Sequence, residues 1–218
     1  MAKPRVLVVL SGCGFLDGSE VHESVISLLA LDRAGVDVVC AAPDQDQMHV
    51  VDHLAGKPTG ETRNVRVESA RIARGKVVDL ATVHAADFDG VFMPGGYGAA
   101  KNLSSVATEG AGATVNADLA RVLREFRGQQ KPIGAVCIAP AVLVAALREG
   151  AVTIGNDAGT AAAIEQMGGE HHACAVTELH VDAARKIVTA PAYMYQARIS
   201  DVATGIEKAV RAFVEMIP

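Results

Sequence analysis

The chain has 218 residues, enough for one compact domain with a substantial core and too few for two of ordinary size. Half the residues are apolar, 21% are charged and the mean hydropathy is +0.25, which excludes disorder and low complexity. Twenty Lys and Arg face twenty-five Asp and Glu, for a formal charge of −5 with no basic run, and aromatics are only 4%. Nucleic acid and anionic membrane surfaces are therefore poor partners.

Cys13, Cys40, Cys137 and Cys174 are far apart and form no C-x-x-C pair, so neither a disulfide framework nor a zinc ribbon is indicated. Met1 to Arg5 leads into only five apolar residues, Val6 to Leu10, and no stretch approaches the ~20 that a membrane span needs. These features predict a cytoplasmic protein in a reducing compartment.

Val6 to Leu10 has the continuous apolar character of a strand buried on both sheet faces. A helix follows, with Ser19 as N-cap, Glu20 and Glu23 in its first turn, and Val21, Val25, Leu28 and Leu29 as the inward stripe up to Ala34-Gly35. Val36 to Ala42 is a second strand, completing a βαβ unit. The polar stretch 44–60 shows no period and reads as a surface excursion, a candidate lid. Asn64 to Arg74 predicts a short helix, Lys76 to Leu80 a short strand and Gly90 to Met93 a buried strand. Asn116 to Arg127 predicts an amphipathic helix with Leu119, Val122, Leu123 and Phe126 inward. Pro132 to Val136 is again a buried strand, followed by a helix from Pro140 to Leu147. Val152 to Ile154, Ala173 to Val181 and Lys186 to Ala190 read as strands, and Thr160 to Met167 as a helix. A final helix places Ile199, Val202, Ile206, Val210 and Phe213 on one face. The alternation predicts a three-layer α/β sandwich around a mainly parallel sheet, in a single domain spanning 1–218.

In such sheets ligands collect beyond the carboxyl ends of the strands. Three segments lie there: Ser11 to Glu23, Pro94 to Asn102 and Cys137 to Pro140. Cys137 on an abrupt strand-to-helix turn is placed where the helix dipole favours thiolate over thiol, although the same residue reads equally as a small buried hydrophobe. Pro94-Gly-Gly-Tyr-Gly98 offers unobstructed N–H groups, as an oxyanion hole or simply as a turn. Glu20 and Glu23 project on one helix face, and either is a candidate proton carrier or merely a helix-start acid. His22 points elsewhere. Glu170-His171-His172-Ala-Cys174 with His180 carries no metal reading, because adjacent histidines of a strand face opposite ways; a polar turn is expected there. Arg63 is a candidate anion-binding group or a surface ion pair.

Together these stretches carry a resemblance. Ser11-Gly-Cys-Gly14, Asp17-Gly-Ser-Glu-Val-His-Glu23, Glu61-Thr-Arg-Asn64, Pro94 to Leu103, Cys137-Ile-Ala-Pro140 and Thr189-Ala-Pro-Ala-Tyr193 resemble the ThiJ/PfpI superfamily, with its flavodoxin-like, class I glutamine-amidotransferase-like fold, and within it the ElbB subfamily. That group is described as glyoxalases and linked by name to isoprenoid biosynthesis. The resemblance implies a nucleophile at Cys137, an acid at Glu23, and oxyanion-hole amides at Gly96 and Ile138. It leaves Gly95, Glu20, His22 and Asp157 as auxiliaries. Where many relatives carry a histidine after a Val-Thr strand, this chain has Gly155, so a complete Cys-His-acid triad and glutamine hydrolysis are not expected. The expected activity is a cofactor-independent, metal-free conversion of glyoxal or a related small dicarbonyl to a hydroxy acid such as glycolate, in a homodimer. A redox or carbonyl-stress sensor using the same cysteine, and an amidotransferase-like subunit, are the alternatives.

Overall fold

The computed structural model describes residues 3–218; Met1 and Ala2, where the reading of the N-terminal segment begins, lie outside them. In chain order the elements are β1 (Arg5–Val9), α1 (Val21–Arg33), β2 (Asp37–Ala42), β3 (Val51–Asp52), β4 (Lys57–Pro58), α2 (Val65–Ile72), β5 (Val77–Asp79), β6 (Gly90–Met93), α3 (Tyr97–Lys101) and α4 (Val106–Glu109). They continue with α5 (Ala117–Gly128), β7 (Ile133–Val136), α6 (Ala139–Leu147), β8 (Ala151–Val152), α7 (Ala158–Gln166), β9 (Glu170–His171), β10 (His180–Asp182), β11 (Ile187–Ala190) and α8 (Ile199–Glu215).

Seven strands form one sheet in the order β10-β11-β7-β6-β1-β2-β5, parallel throughout except for β10 at one edge. β1 alternates strictly. Leu7 and Val9 enter the core shared with α5 and α6, whereas Val6, Val8 and Leu10 enter the core shared with α8 and Leu31 of α1. Two apolar cores on opposite sheet faces make the expected three-layer α/β sandwich. The central strands β1, β6 and β7 therefore end at one rim, where the loops to α1, α3 and α6 converge.

Several local readings need correction. Glu20, not Ser19, caps α1: its carboxylate accepts the Glu23 N–H at 2.6 Å, while the Ser19 hydroxyl accepts the Ser11 N–H at 2.8 Å. The face of α1 is also inverted. Val21, Val25 and Leu29 are exposed, and the buried positions are Glu23, Ser24, Ser27 and Leu31. These repeat at helical spacing too, and small polar residues let α1 lie close to its neighbours. Ile199 is half exposed at the start of α8, leaving Val202, Ile206, Val210 and Phe213 to fill the core. Of the expected 173–181 strand only His180 and Val181 pair with the sheet, in a strand that runs on to Asp182, and Glu170–His171, expected in a turn, pairs with β8.

The 44–60 excursion contains the β3–β4 hairpin and is pinned to the loop before α1. Val51 N–H donates to Asp17 Oδ2 at 2.7 Å, and Met48 N–H donates to Asn102 Oδ1 at 2.9 Å. The same Asn102 amide donates to the carbonyls of Ser11 and Asp17, at 2.9 and 2.8 Å. No residue of 44–60 lines the cavity over Cys137, so the segment braces the site from behind and is not a lid.

Candidate active site

β7 runs straight into Cys137, whose φ of +60° places a non-glycine residue in the left-handed region. Such a backbone costs roughly 1–3 kcal/mol and survives only where its surroundings over-determine it. Here the Cys137 N–H donates to Ala190 O of the adjacent β11 at 3.0 Å, and Ala139-Pro140 opens α6 immediately afterwards. Ala192, just beyond β11, is a second left-handed residue, with φ of +45°. The two unusual turns lie side by side and bring Tyr193 against the acid of α1.

That acid is Glu23. It has no solvent exposure, and each carboxylate oxygen accepts a backbone hydrogen bond: Oε2 from Gly95 N–H at 2.9 Å, Oε1 from Tyr193 N–H at 3.1 Å. The carboxyl group also hydrogen-bonds the Cys137 thiol. The glycines after β6 make this approach feasible. A methyl group on Gly95 would sit 2.5 Å from Cβ of Cys137, and Gly96, at φ +94°, would bring one 2.4 Å from the Glu20 nitrogen. In return the N–H groups of Gly96 and Ile138 both reach the sulfur.

Burial drives the electrostatics. It pushes the Glu23 carboxyl up to about 8, with the Glu20 carboxylate adding to the effect and the Tyr193 and Gly95 amides and the thiol opposing it. Burial likewise pushes the Cys137 thiol well above its ordinary value, reinforced by the charge of Glu23 and opposed by the Gly96 and Ile138 amides. The expected thiolate is therefore corrected: the amides act in the expected sense, but desolvation and a neighbouring carboxylate outweigh them. Thiol and carboxyl titrate as one coupled pair. With its carboxyl raised to the neutral range, Glu23 can take the thiol proton at the moment the sulfur attacks.

The sulfur opens onto a cavity of about 490 Å³. Glu20, Gly96, Ile138 and Asp157 are on its wall, together with Phe15, Tyr97, Thr160, Tyr193 and Met194. Gly95 lies behind the sulfur, not on the wall. Asp157 is occupied: its Oδ1 accepts the Thr160 N–H at 2.7 Å, capping α7, and that bond holds its carboxyl below the usual range. His22 faces an adjoining groove, where its Nδ1 lies 2.9 Å from the Tyr193 hydroxyl. Arg63 is a surface pair, 2.6 Å from Glu61 and 3.5 Å from Glu68. His172 stacks on His180 at 4.0 Å, and His171 Nε2 accepts the Ile154 N–H at 3.4 Å. Tyr193 and Asn102 emerge as positioning residues. Asn102 lay in one of the three segments expected at the strand ends, whereas Tyr193 lay in a stretch noted only for its resemblance, because nothing local marks a tyrosine whose backbone does the work.

Gly155 has φ of +90°, and a methyl group there would lie 2.6 Å from Cε2 of Tyr195. The place of the absent histidine is thus filled by the tyrosine ring, which donates its hydroxyl to Cys174 O at 2.7 Å.

A human protein named glutamine amidotransferase-like class 1 domain-containing protein 3, mitochondrial, is 47% identical over 97% of this chain and 83% of its own length. A rat protein named ES1 protein homolog, mitochondrial, is 45% identical over 98% of this chain and 84% of its own. Both are named as mitochondrial, which overturns the cytoplasmic expectation: unpaired cysteines and the lack of a spanning helix describe any reducing compartment and do not discriminate among them. The crystal structure of an isoprenoid biosynthesis protein with amidotransferase-like domain from Ehrlichia chaffeensis superposes with a TM-score of 0.93 at 40% identity, over 99% of this chain and 100% of that one. The DJ-1/PfpI family matches residues 5–195, and with these relatives it fixes the assignment: the chain belongs to the DJ-1/PfpI family.

Proposed function

We propose that this chain is an ElbB-type, cofactor-independent glyoxalase-like enzyme acting on glyoxal or related dicarbonyls. The observation that carries this reading is the Glu23–Cys137 pair, buried together and facing two free-standing backbone N–H groups beneath a cavity. Glu23 takes the thiol proton as sulfur attacks one aldehyde carbon, and the resulting oxyanion lies against the Gly96 and Ile138 N–H groups before it is protonated to the hemithioacetal. Glu23, again ionised, removes the hydrogen on that carbon as a proton and returns it to the neighbouring carbon through an enediol. One carbon is oxidised to the thioester level and the other reduced to the alcohol, so no external oxidant is needed. Water then cleaves the thioester, releasing glycolate and the thiol. Glu20 and Asp157, the carboxylates on the wall, are both held as helix caps, and His22 faces the adjoining groove.

The test is glycolate formation from glyoxal by wild type and Cys137→Ala. The reading expects loss of about a thousandfold or more, the scale on which removing an enzyme's nucleophile acts; a variant turning over at the wild-type rate sinks it. The sensor alternative loses support from the raised thiol, because the thiolate is the form that attacks peroxide. The amidotransferase-like alternative meets Tyr195 where it needs a histidine. A link to isoprenoid metabolism rests on the name of the Ehrlichia chaffeensis protein.

A further inference from the structure

Building on that reading, we infer that the substrate is not a bare dicarbonyl but a larger carbonyl compound ending in a single carboxylate, which Arg198 receives. Glyoxal is two carbonyl groups and nothing else, whereas the cavity above the sulfur holds about 490 Å³. It also does not end there. Phe15, Glu20 and Tyr193 line both this cavity and an adjoining groove of about 790 Å³, so the two spaces meet along these three side chains. Volumes of roughly 300–1,000 Å³ accommodate extended organic ligands rather than two-carbon molecules.

The walls of the groove define the chemistry further. Tyr193, Tyr195 and Phe15 provide aromatic surface for an apolar body. The groove is also lined by Gln196, Arg198 and Asp201, preceding and opening α8. Arg33, Arg127 and Arg185 are tied up in ion pairs with Glu207 and Glu149, whereas Arg198, like Arg74, Arg124, Arg148 and Arg211, has no ion-pair partner among the described residues, and of these five it is the one that lines the groove. Nor does its side chain cap the helix it precedes. A planar guanidinium matches a carboxylate bidentately. The other charges set the limit: Asp201 and Glu20 flank the same groove, and His22, Tyr193 and Tyr195 are its remaining titratable groups. With one guanidinium beside two carboxylates, a ligand can pair at most one anionic group there, and a diphosphate is disfavoured.

The arrangement also couples groove to chemistry. Tyr193 separates the two spaces, its hydroxyl is held by His22, and its N–H holds Glu23 Oε1. A ligand body lying on that ring presses on the residue that fixes the catalytic carboxyl.

The experiment uses aryl glyoxals carrying a para carboxylate, attached directly or through a short methylene chain, each compared with its methyl ester. The expected result is that one chain length gives an acid-to-ester ratio in kcat/KM of about tenfold in wild type, which is ~1.4 kcal/mol. The ratio falls to about one in Arg198→Gln and is partly kept in Arg198→Lys. Equal turnover of acid and ester at every length, or a preference that survives Arg198→Gln, overturns the inference. Calorimetric titration of Cys137→Ala with the same pairs separates this claim from the chemistry. Tighter binding of the acid there, lost on adding Arg198→Gln, upholds the groove assignment even if wild type turns over none of the glyoxals, a result that would fell only the glyoxalase reading. Equal binding of acid and ester refutes it.

Discussion

Helices α1 and α5 were read by the same rule and obey it in opposite ways. α5 buries Leu119, Val122, Leu123 and Phe126, the apolar stripe its sequence displays. α1 leaves Val21, Val25 and Leu29 in solvent and turns Glu23, Ser24 and Ser27 inward. Helix α5 serves the core alone. Helix α1 must carry a carboxyl group under the sheet rim to meet Cys137, so only Leu31 and, in part, Ile26 and Leu28 of its larger apolar residues reach the core. Violation of hydrophobic patterning in an otherwise consistent chain is a marker of function.

Glu23→Gln should separate the two helices most sharply, since it should cost about two to four powers of ten in kcat/KM on glyoxal, the usual range for losing a positioned proton carrier. In wild type, the basic form of Glu23 gains population as pH rises through about 8, so kcat/KM should climb across that limb, and the limb should vanish in the variant. Stability should move the other way. A carboxyl raised to about 8 in the fold and ordinary when unfolded stabilises fully below about 4.5, and that contribution is lost as pH rises through 8. Urea titrations at pH 4 and pH 9, conditions on either side of this range (~4.5 to 8), should therefore show wild type losing a few kcal/mol relative to Glu23→Gln. A parallel pH dependence for both proteins would remove Glu23 as the buried titrating group.

On α5, Phe126→Ala should cost about 3–5 kcal/mol in unfolding free energy, leaving kcat/KM of the folded enzyme unchanged. A selective loss of activity instead would break the contrast between the helices. Effects on α1 away from Glu23 should be small. Ser27 is buried with a hydroxyl lacking a hydrogen-bond partner, so Ser27→Ala should be neutral or slightly stabilising. The exposed Val25→Ser should change thermal stability by less than about 0.5 kcal/mol. A loss at Val25 rivalling that at Phe126 would mean the outer stripe of α1 is covered in solution.

The sheet was legible because its strands are short apolar runs closed by Gly or Pro, a pattern set by burial on both faces. The elbow at Cys137 was legible for the same reason: β7 ends abruptly and α6 begins at once. Cys40 also lies in an apolar run, yet burial alone raises its thiol to about 11 with no acid beside it. What separates it from Cys137 is a tertiary contact. The thiol's protonation was misread because the helix terminus is visible in sequence, whereas the desolvation of Cys137 and Glu23 arises only when three loops close over them. The bracing role of 44–60 was hidden too, since its polarity looks the same whether the segment covers a cavity or clips onto a loop. The groove at Arg198 needs residues from both ends of the chain, Phe15 and Asp201 among them, and no local pattern joins those.

The tyrosine ring at Gly155 sets how this chain can diversify. Installing a histidine there requires a left-handed side chain in space that Tyr195 already fills, so Gly155→His alone meets a steric barrier before any new chemistry begins. Tyr195 would have to shrink first, releasing its bond to Cys174 O and opening one wall of the groove. Each single step costs packing on the way to the double change. A histidine at position 155 is thus kept away from the Glu23–Cys137 pair by packing alone.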